Sequence, residues 1–547
     1  MRALVLLLAG PVLAQPAAEP SCPAGSGLML GDSSGMGFAS PGLEPSALGN
    51  LDRKEILEWA AKWARAYEAA GIDWVVLAPL ADEVSSWGAV QRDKPSHGQA
   101  FGKFNFFVLD AIVEAFRGKA VLVLSARCPW DHEAGAAPVD RAAFREYVTA
   151  LVERYDGDAS FGVSENDYEA YPDIDGSGKS TISDTEATLE QKLAWAAAHR
   201  VLAFQVETEM PKKQAMNAYA AIFEDVVEAA RNADAALWLA PIPASISQSE
   251  FMEGVVPLLS AGGRGPDAVI VSVKGVGADF TTASGMEALA RVKKWMRNIT
   301  FGGKVFVGDV ALGWRKGGGG CPDDRCDEVM QAEQAAKVVA LAAASGASGV
   351  FYGGVLEQKD NLTGTGLATC DTALSPDSVV QRPALQVMRI AARGLGKGAV
   401  AVETGVPSTH AVRSETCEGE SDVLAWYDWT LEVGPGKPYQ DVAKRIQLDL
   451  PFDKVRTVLL GPGFSAGGAT ATSDNKTALD LGRTPVLAVA RAWPEPEVSP
   501  EAAEGAEAVV PDGAMGGGGG GCNVAPSAPS IAWVLLLLSL ARRRGRP

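Results

Sequence analysis

From residue 27 to about residue 395, short apolar runs alternate with amphipathic stretches. The runs are Leu28–Leu30, Trp74–Leu80, Ala120–Ser125, Val201–Gln205, Ala236–Ala240, Ala268–Val273, Val305–Val307 and Gly349–Tyr352. Most are rich in Val, Leu and Ile, which predicts strands buried on both faces, as in a parallel sheet covered by helices. Between them, Lys54–Ala70, Phe104–Phe116, Arg141–Tyr155, Ala215–Asn232, Phe251–Leu259, Gly285–Met296, Gln331–Ala344 and Ala384–Leu395 carry the helical period. Eight strand-then-helix units predict an α/β fold, the closed (β/α)8 or TIM barrel. A doubly wound open sheet is the runner-up. It carries a Gly-rich phosphate turn that opens a helix, whereas Gly31–Gly37 follows the first run without opening one at once.

One unit is interrupted. Residues 156–198 form an insertion with little apolar periodicity, and it contains the segment Asp173–Asp184. Asp173, Asp175, Ser177, Thr181 and Asp184 stand at positions 1, 3, 5, 9 and 12 of that segment, with Gly178 at position 6. A chain that wraps oxygens around a hard cation and turns sharply at its midpoint needs this spacing, so these five residues are candidate calcium ligands. The bland alternative is an acidic surface loop. Asp rather than Glu at position 12 is similar to a dockerin loop.

After residue 396 the helical period stops. Val423–Tyr427, Arg445–Leu450, Val455–Leu460 and Val486–Ala490 predict a small all-β sandwich over 396–493. Residues 494–521 are rich in Pro, Glu, Ala and Gly, the composition of a disordered linker.

The formal charge of −18 and pI of about 4.8 argue against a nucleic-acid partner. Arg2 followed by the apolar run Ala3–Leu13 predicts a signal peptide over 1–18 and hence an exported protein. At the other end, Gly516–Gly521, Cys522, the apolar stretch Ile531–Ala541 and the cluster Arg542–Arg544 with Arg546 follow one another. That order resembles the MYXO-CTERM sorting tail of myxobacteria. The resemblance implies sorting machinery as a partner, membrane contact only through residues 522–547, and display at the cell surface or outer membrane. Six further cysteines, Cys22, Cys128, Cys321, Cys326, Cys370 and Cys417, are compatible with three disulfides.

In a β/α barrel, chemistry belongs at the C-terminal ends of the strands. The fourth run ends in Phe204–Pro211, where Gln205, Glu207 and Glu209 share one face of an extended strand. Two carboxylates that close cannot both ionise cheaply, and a raised Glu is what a general acid requires. The bland alternative is that both acids pair with nearby cations. Asp309 follows the seventh run and Glu357 the eighth. Trp87, Trp130 and Trp314 follow the second, third and seventh runs, placed either to stack on sugar rings or to pack the rim.

The barrel resembles glycoside hydrolase clan A. Phe204–Pro211 looks like that clan's strand-four motif, Leu151–Asp158 like the Arg-Tyr segment before it, and Gly349–Tyr352 like its eighth strand. The resemblance implies hydrolysis of O-glycosidic bonds in a polysaccharide or oligosaccharide, with no cofactor required for catalysis. Glu209 falls in the acid/base position, Asp309 where a Glu nucleophile stands, and Glu207 and Thr208 beside them as substrate contacts. Three departures stand against it. Thr208 replaces an Asn, Asp309 is one methylene short, and Gly353–Gly354 follow the last strand where a Trp is common. A catalytically degenerate glycan-binding surface protein is the alternative.

Overall fold

The computed structural model describes residues 28–33, 51–78, 84–92, 104–133, 136–167, 169–201, 203–207, 216–234, 238–241, 244–245, 267–272, 303–313, 327–358, 366–370, 378–395, 399–415, 421–429, 432, 442–451, 455–461 and 469–489. The chain divides into two units, 1–492 and 493–547, and every described residue belongs to the first. The expected signal peptide, linker and sorting tail lie outside the described residues.

Nine parallel strand segments form one sheet: β1 (Met29–Asp32), β2 (Trp74–Val76), β3 (Ala120–Leu124), β4 (Ala203–Val206), β5 (Trp238–Pro241), β6 (Ala244–Ser245), β7 (Ala268–Ser272), β8 (Lys304–Val310) and β9 (Gly349–Tyr352). Their order is β5-β4-β3-β2-β1-β9-β8-β7-β6. The two ends of this order, β5 and β6, are two residues apart in the chain. The amide of Asp267, just before β7, donates to the Leu239 carbonyl of β5 at 2.9 Å. The sheet therefore curls round on itself, as in an α/β barrel.

The helices are α1 (Arg53–Ala69), α2 (Trp87–Val90), α3 (Phe107–Phe116), α4 (Arg141–Tyr155), α5 (Ile182–Thr185), α6 (Leu189–Ala198), α7 (Met216–Ala233), α8 (Glu328–Ala344) and α9 (Pro383–Gly394). Helix α1 starts where the sequence allows its first amides a partner. Asp52 accepts from the Glu55 amide at 2.8 Å and Glu55 returns the bond to the Asp52 amide at 3.0 Å. Its inner face buries Ile56, Trp59, Trp63 and Tyr67. The expected helices Phe251–Leu259 and Gly285–Met296 lie outside the described residues.

The barrel interior is filled by Val76, Val121, Val123, Ala203, Ala268, Ile270, Phe306 and Phe351. Each fully buried Val, Ile or Phe contributes about 1.5–3 kcal/mol of hydrophobic stabilisation. Gly31 makes room for the largest of them: a Cβ there would sit 2.4 Å from the Phe351 ring.

Beyond α9 the chain changes layer. One antiparallel sheet orders β13 (Val400–Val402), β14 (Thr409–Glu415), β15 (Ser421–Tyr427), β20 (Val486–Val489) and β17 (Arg456–Leu459). A second orders β16 (Lys444–Pro451), β19 (Lys476–Leu481) and β18 (Ala469–Ala471). A small sheet of β10 (Leu356–Gln358), β11 (Ala368–Cys370) and β12 (Val380–Gln381) precedes α9. Between the two larger sheets lies a core that includes Val423, Ala425, Ile446, Leu448, Leu479 and Leu481.

Barrel and sandwich meet along α8. Lys337 and Asp428 are wholly buried, 2.9 Å apart, and Lys337 also pairs with Glu333 at 2.7 Å. The Trp429 indole donates to the other oxygen of Glu333 at 3.0 Å. Burial pulls the Lys337 ammonium down, but the two carboxylates outweigh it and hold the group above the usual lysine range.

One expectation needs correction. Cys128 is a buried free thiol, so the six cysteines do not form three disulfides. Burial pushes the Cys128 thiol up to about 12, which makes it inert. Within the insertion over 156–198, the segment 189–198 is α6, capped by Thr188 and anchored by buried Trp195.

Candidate active site

The C-terminal ends of β3 and β4 lie side by side. Strand β4 pairs with β3 from Val121 against Ala203 to Leu124 against Val206, and the Glu207 amide adds one more rung by donating to the Leu124 carbonyl at 2.9 Å. Glu207 itself has φ of 66°. A non-glycine residue in this left-handed region costs about 1–2 kcal/mol.

What holds Glu207 there is its own side chain. The carboxylate accepts from the Ser125 hydroxyl at 3.0 Å and from the Ala126 amide at 2.6 Å, both just past β3. The Gln205 side chain donates to the Glu207 carbonyl at 3.0 Å. A hydrogen bond to a charged group contributes about 1.5–3 kcal/mol, so the two carboxylate bonds outweigh the backbone strain. Beneath this clamp the Tyr147 hydroxyl donates to the Ser85 carbonyl. Burial, and then the charge of Glu207, push the Tyr147 phenol far above its ordinary range.

The alternation that puts Gln205, Glu207 and Glu209 on one face assumes an extended strand, and Glu207 departs from extended backbone. The carboxylate of Glu207, expected to contact substrate, rests on Ser125 and Ala126. Thr208 and Glu209 lie outside the described residues.

Asp309 lies in β8, and its side chain lies outside the described residues. The register of β8 on β9 slips between Val307 and Val310, so one extra residue is accommodated where Asp309 stands. Bulges of this kind re-aim side chains at barrel rims. Gly308 is required beside it, since a Cβ would approach Ile270 Cγ2 to 2.3 Å.

The aromatic residues separate. Trp87 is fully buried, its indole donating to Gln91 Oε1 at 2.7 Å, so it packs the rim and presents no face to a sugar. Trp130 is part-buried, edge-on to Trp87 at 4.9 Å between ring centroids, and donates to the Gln91 carbonyl at 2.8 Å. Trp314 lies outside the described residues. Glu357 is a structural partner of Arg382, with which it pairs at 2.7 Å.

Sequence reasoning missed Asp32, the last residue of β1. It is fully buried and accepts from the Tyr67 hydroxyl at 3.1 Å and the Val355 amide at 2.9 Å, which ties α1 and the segment after β9 to one strand end. Its signal was an acid directly after an apolar run.

Away from the mouth, Asp173, Asp175 and Asp184 bring carboxylate oxygens within 4.8 Å of one another. The Ser177 hydroxyl donates to the Lys179 carbonyl at 2.9 Å, which places the oxygens of positions 5 and 7 together. Thr181 and Asp184 also form the capping box of α5. Burial pushes the Asp173 carboxyl up against the pull of the Gly178 amide and Arg53. The Ser177 amide and hydroxyl hold Asp175 down.

No family model matches the sequence, and no curated protein matches it. Solved structures do. A family 39 glycoside hydrolase from the gut symbiont Bacteroides cellulosilyticus WH2 superposes with a TM-score of 0.50 at 14% identity, over 79% of this chain and 78% of that one. The catalytic domain of GH30 xylanase C from Talaromyces cellulolyticus gives 0.49 at 12% identity, over 86% and 98%. A family 51 α-L-arabinofuranosidase from Bifidobacterium longum gives 0.48 at 11%, over 86% and 97%. The first of these likenesses supports the fold described above, a glycoside-hydrolase-like α/β barrel followed by a β domain.

Proposed function

We propose that this chain is an exported glycoside hydrolase that cleaves O-glycosidic bonds of a polysaccharide or oligosaccharide. The observation that carries the reading is the pairing of acids with strand exits on one barrel: β4 leads into Glu207 and Glu209, and β8 carries Asp309 at its bulge. Glu209 protonates the leaving oxygen as the C1–O bond breaks. Asp309 either adds to C1, giving a glycosyl ester that water then cleaves, or takes a proton from the water that attacks C1. In both cases the water's hydroxyl ends on C1 and its proton is returned through the carboxylates. Thr208, Trp130 and Trp314 are the residues assigned to contact the sugar. The two carboxylates and water suffice, with no cofactor. The sorting tail holds the enzyme at the cell surface.

A calcium ion in the 173–184 loop belongs to the same reading, held by Asp173, Asp175, Ser177, Thr181 and Asp184. The three convergent carboxylates support it. Their mutual repulsion and the burial of Asp173 are what a divalent cation would relieve. Calcium is expected to raise the melting temperature above that in EDTA by about 3 °C or more; identical melting curves would remove the ion.

Binding of glycan without cleavage is the second reading, favoured by Gly353–Gly354 at the exit of β9, where the sequence carries no Trp. Hydrolysis of a polysaccharide panel by the wild type and its loss in Glu209→Gln decide between the two. Retained saccharide binding with no product from either protein would establish the second.

A further inference from the structure

We propose that Asp131 and His132 form a saccharide-binding pair, in which Nε2 of His132 accepts a hydrogen bond from a sugar hydroxyl. The ligand class rests on the hydrolase reading, but the pair can be tested apart from hydrolysis. Both residues lie on the loop between β3 and α4, and loops that follow barrel strands carry a barrel's sites. The amides of Asp131 and His132 donate to the Cys128 carbonyl at 3.1 and 3.2 Å, a tight turn that also carries Trp130. Asp131 closes the loop. Its Oδ2 accepts from the Val139 amide at 2.8 Å and its Oδ1 from the Asp140 amide at 3.1 Å. The same Oδ2 meets Nδ1 of His132 at 2.9 Å.

A carboxylate only accepts, so Nδ1 carries the proton and the neutral ring keeps its lone pair on Nε2. Among the described residues none bonds that nitrogen, although the His132 side chain is only 3% exposed. A polar atom covered this far is costly unless something meets it. Closure of the loop does not use Nε2, because Asp131 achieves it through two backbone amides. The neighbours of the ring fit a sugar. The imidazole lies 6.3 Å from the Trp87 ring at 30°, and Trp87 is edge-on to Trp130 at 4.9 Å. The part-buried Trp130 therefore puts an indole on the same turn as a hydroxyl acceptor. Those are the two chemistries that the C–H face and the hydroxyl edge of a sugar require.

The chain has four histidines, so long-range proton–nitrogen spectra of the full chain can follow each ring, and the signal lost in His132→Asn identifies His132. Cello-, xylo- and arabino-oligosaccharides are added in turn at about pH 8, where an ordinary imidazole is neutral. The Nε2 resonance of His132 is expected to move with one of them while the other three rings stay still. His132→Asn keeps an amide donor for Asp131 and removes Nε2, so it weakens binding of that oligosaccharide about tenfold. His132→Gln, whose longer amide reaches toward the place of Nε2, recovers at least threefold of that loss. A His132 resonance that no oligosaccharide moves would overturn the pair, as would binding by His132→Asn within twofold of the wild type. A shift of Nε2 with no product from any glycoside sinks the hydrolase reading and leaves the pair standing, whereas product with an unmoved Nε2 does the reverse.

Discussion

Carboxylates at two places in this protein are held by different chemistry. At the barrel mouth Glu207 is held by the Ser125 hydroxyl and the Ala126 amide. Along the seam with the sandwich, Glu333 and Asp428 close on the Lys337 ammonium. In the first arrangement the Ser125 hydroxyl and Ala126 amide are neutral dipoles. The second joins one layer to another through opposite charges that are wholly buried. Removing a member therefore has different consequences. At the mouth two neutral donors lose an acceptor, whereas at the seam a charge is left without its counterion.

The largest effect is expected at the seam. Lys337→Met leaves Glu333 and Asp428 buried without their shared ammonium, with Asp428 still 3.2 Å from His410, and breaking a buried ion pair from one side costs about 3–5 kcal/mol. Thermal melting should drop by about 10 °C, while kcat/KM of the folded protein at 25 °C stays within twofold of the wild type. An unchanged melting temperature would show that the seam carries no such load. The mouth should respond less: Glu207→Ala removes bonds to neutral donors and lowers melting by less than Lys337→Met does. Because the named partners at the two places differ, the double variant should combine the two losses to within about 0.5 kcal/mol. A larger coupling would mean that seam and mouth are one unit.

The smallest effect tests charge alone. Asp156 follows α4, and burial, then the charges of Asp158 and Glu153, push its carboxyl up to about 7. An acid whose folded value lies above its unfolded value of 3.8 stabilises the fold below 3.8, and loses that contribution as pH rises through 7. Asp156→Asn keeps the acceptor for the Asp158 amide, seen at 2.9 Å, and removes the charge. Its melting temperature should match the wild type near pH 4 and exceed it by about 2 °C at pH 8. Equal curves at both pH values would contradict the shift.

How much of this was legible in the sequence differs between the two regions. The strands were visible because Val, Leu and Ile gather where both faces are covered, and Gly349–Tyr352 and Arg141–Tyr155 fall where the pattern put them. The clamp was invisible. Glutamate has no preference for positive φ, and its partners Ser125 and Ala126 lie 82 and 81 residues away. The alternation that grouped Gln205, Glu207 and Glu209 holds only while a strand stays extended. The seam was hidden for another reason. Glu333 and Lys337 sit one helical turn apart, a spacing ordinary on a solvated face, and only the packing of the sandwich on α8 buries them. Trp87 read as either platform or packing, and it is buried against rings far along the chain, Trp130 and Phe144, which no local period reveals. Cys128 and Cys370 were counted into bridges because counting is all that spacing permits.

The measurement that bears most directly on the central claim is the dependence of hydrolysis on the leaving group. Aryl glycosides of whichever sugar the polysaccharide panel releases would be compared in the wild type and in Glu209→Gln. If Glu209 delivers the proton to the departing oxygen, the variant loses about 100-fold or more on a poor leaving group such as a simple phenol. It then keeps nearly full rate in bond cleavage on a dinitrophenol, which departs without protonation. A loss that is the same for every leaving group would contradict the assignment of Glu209, and no hydrolysis of any glycoside by the wild type would contradict the hydrolase itself.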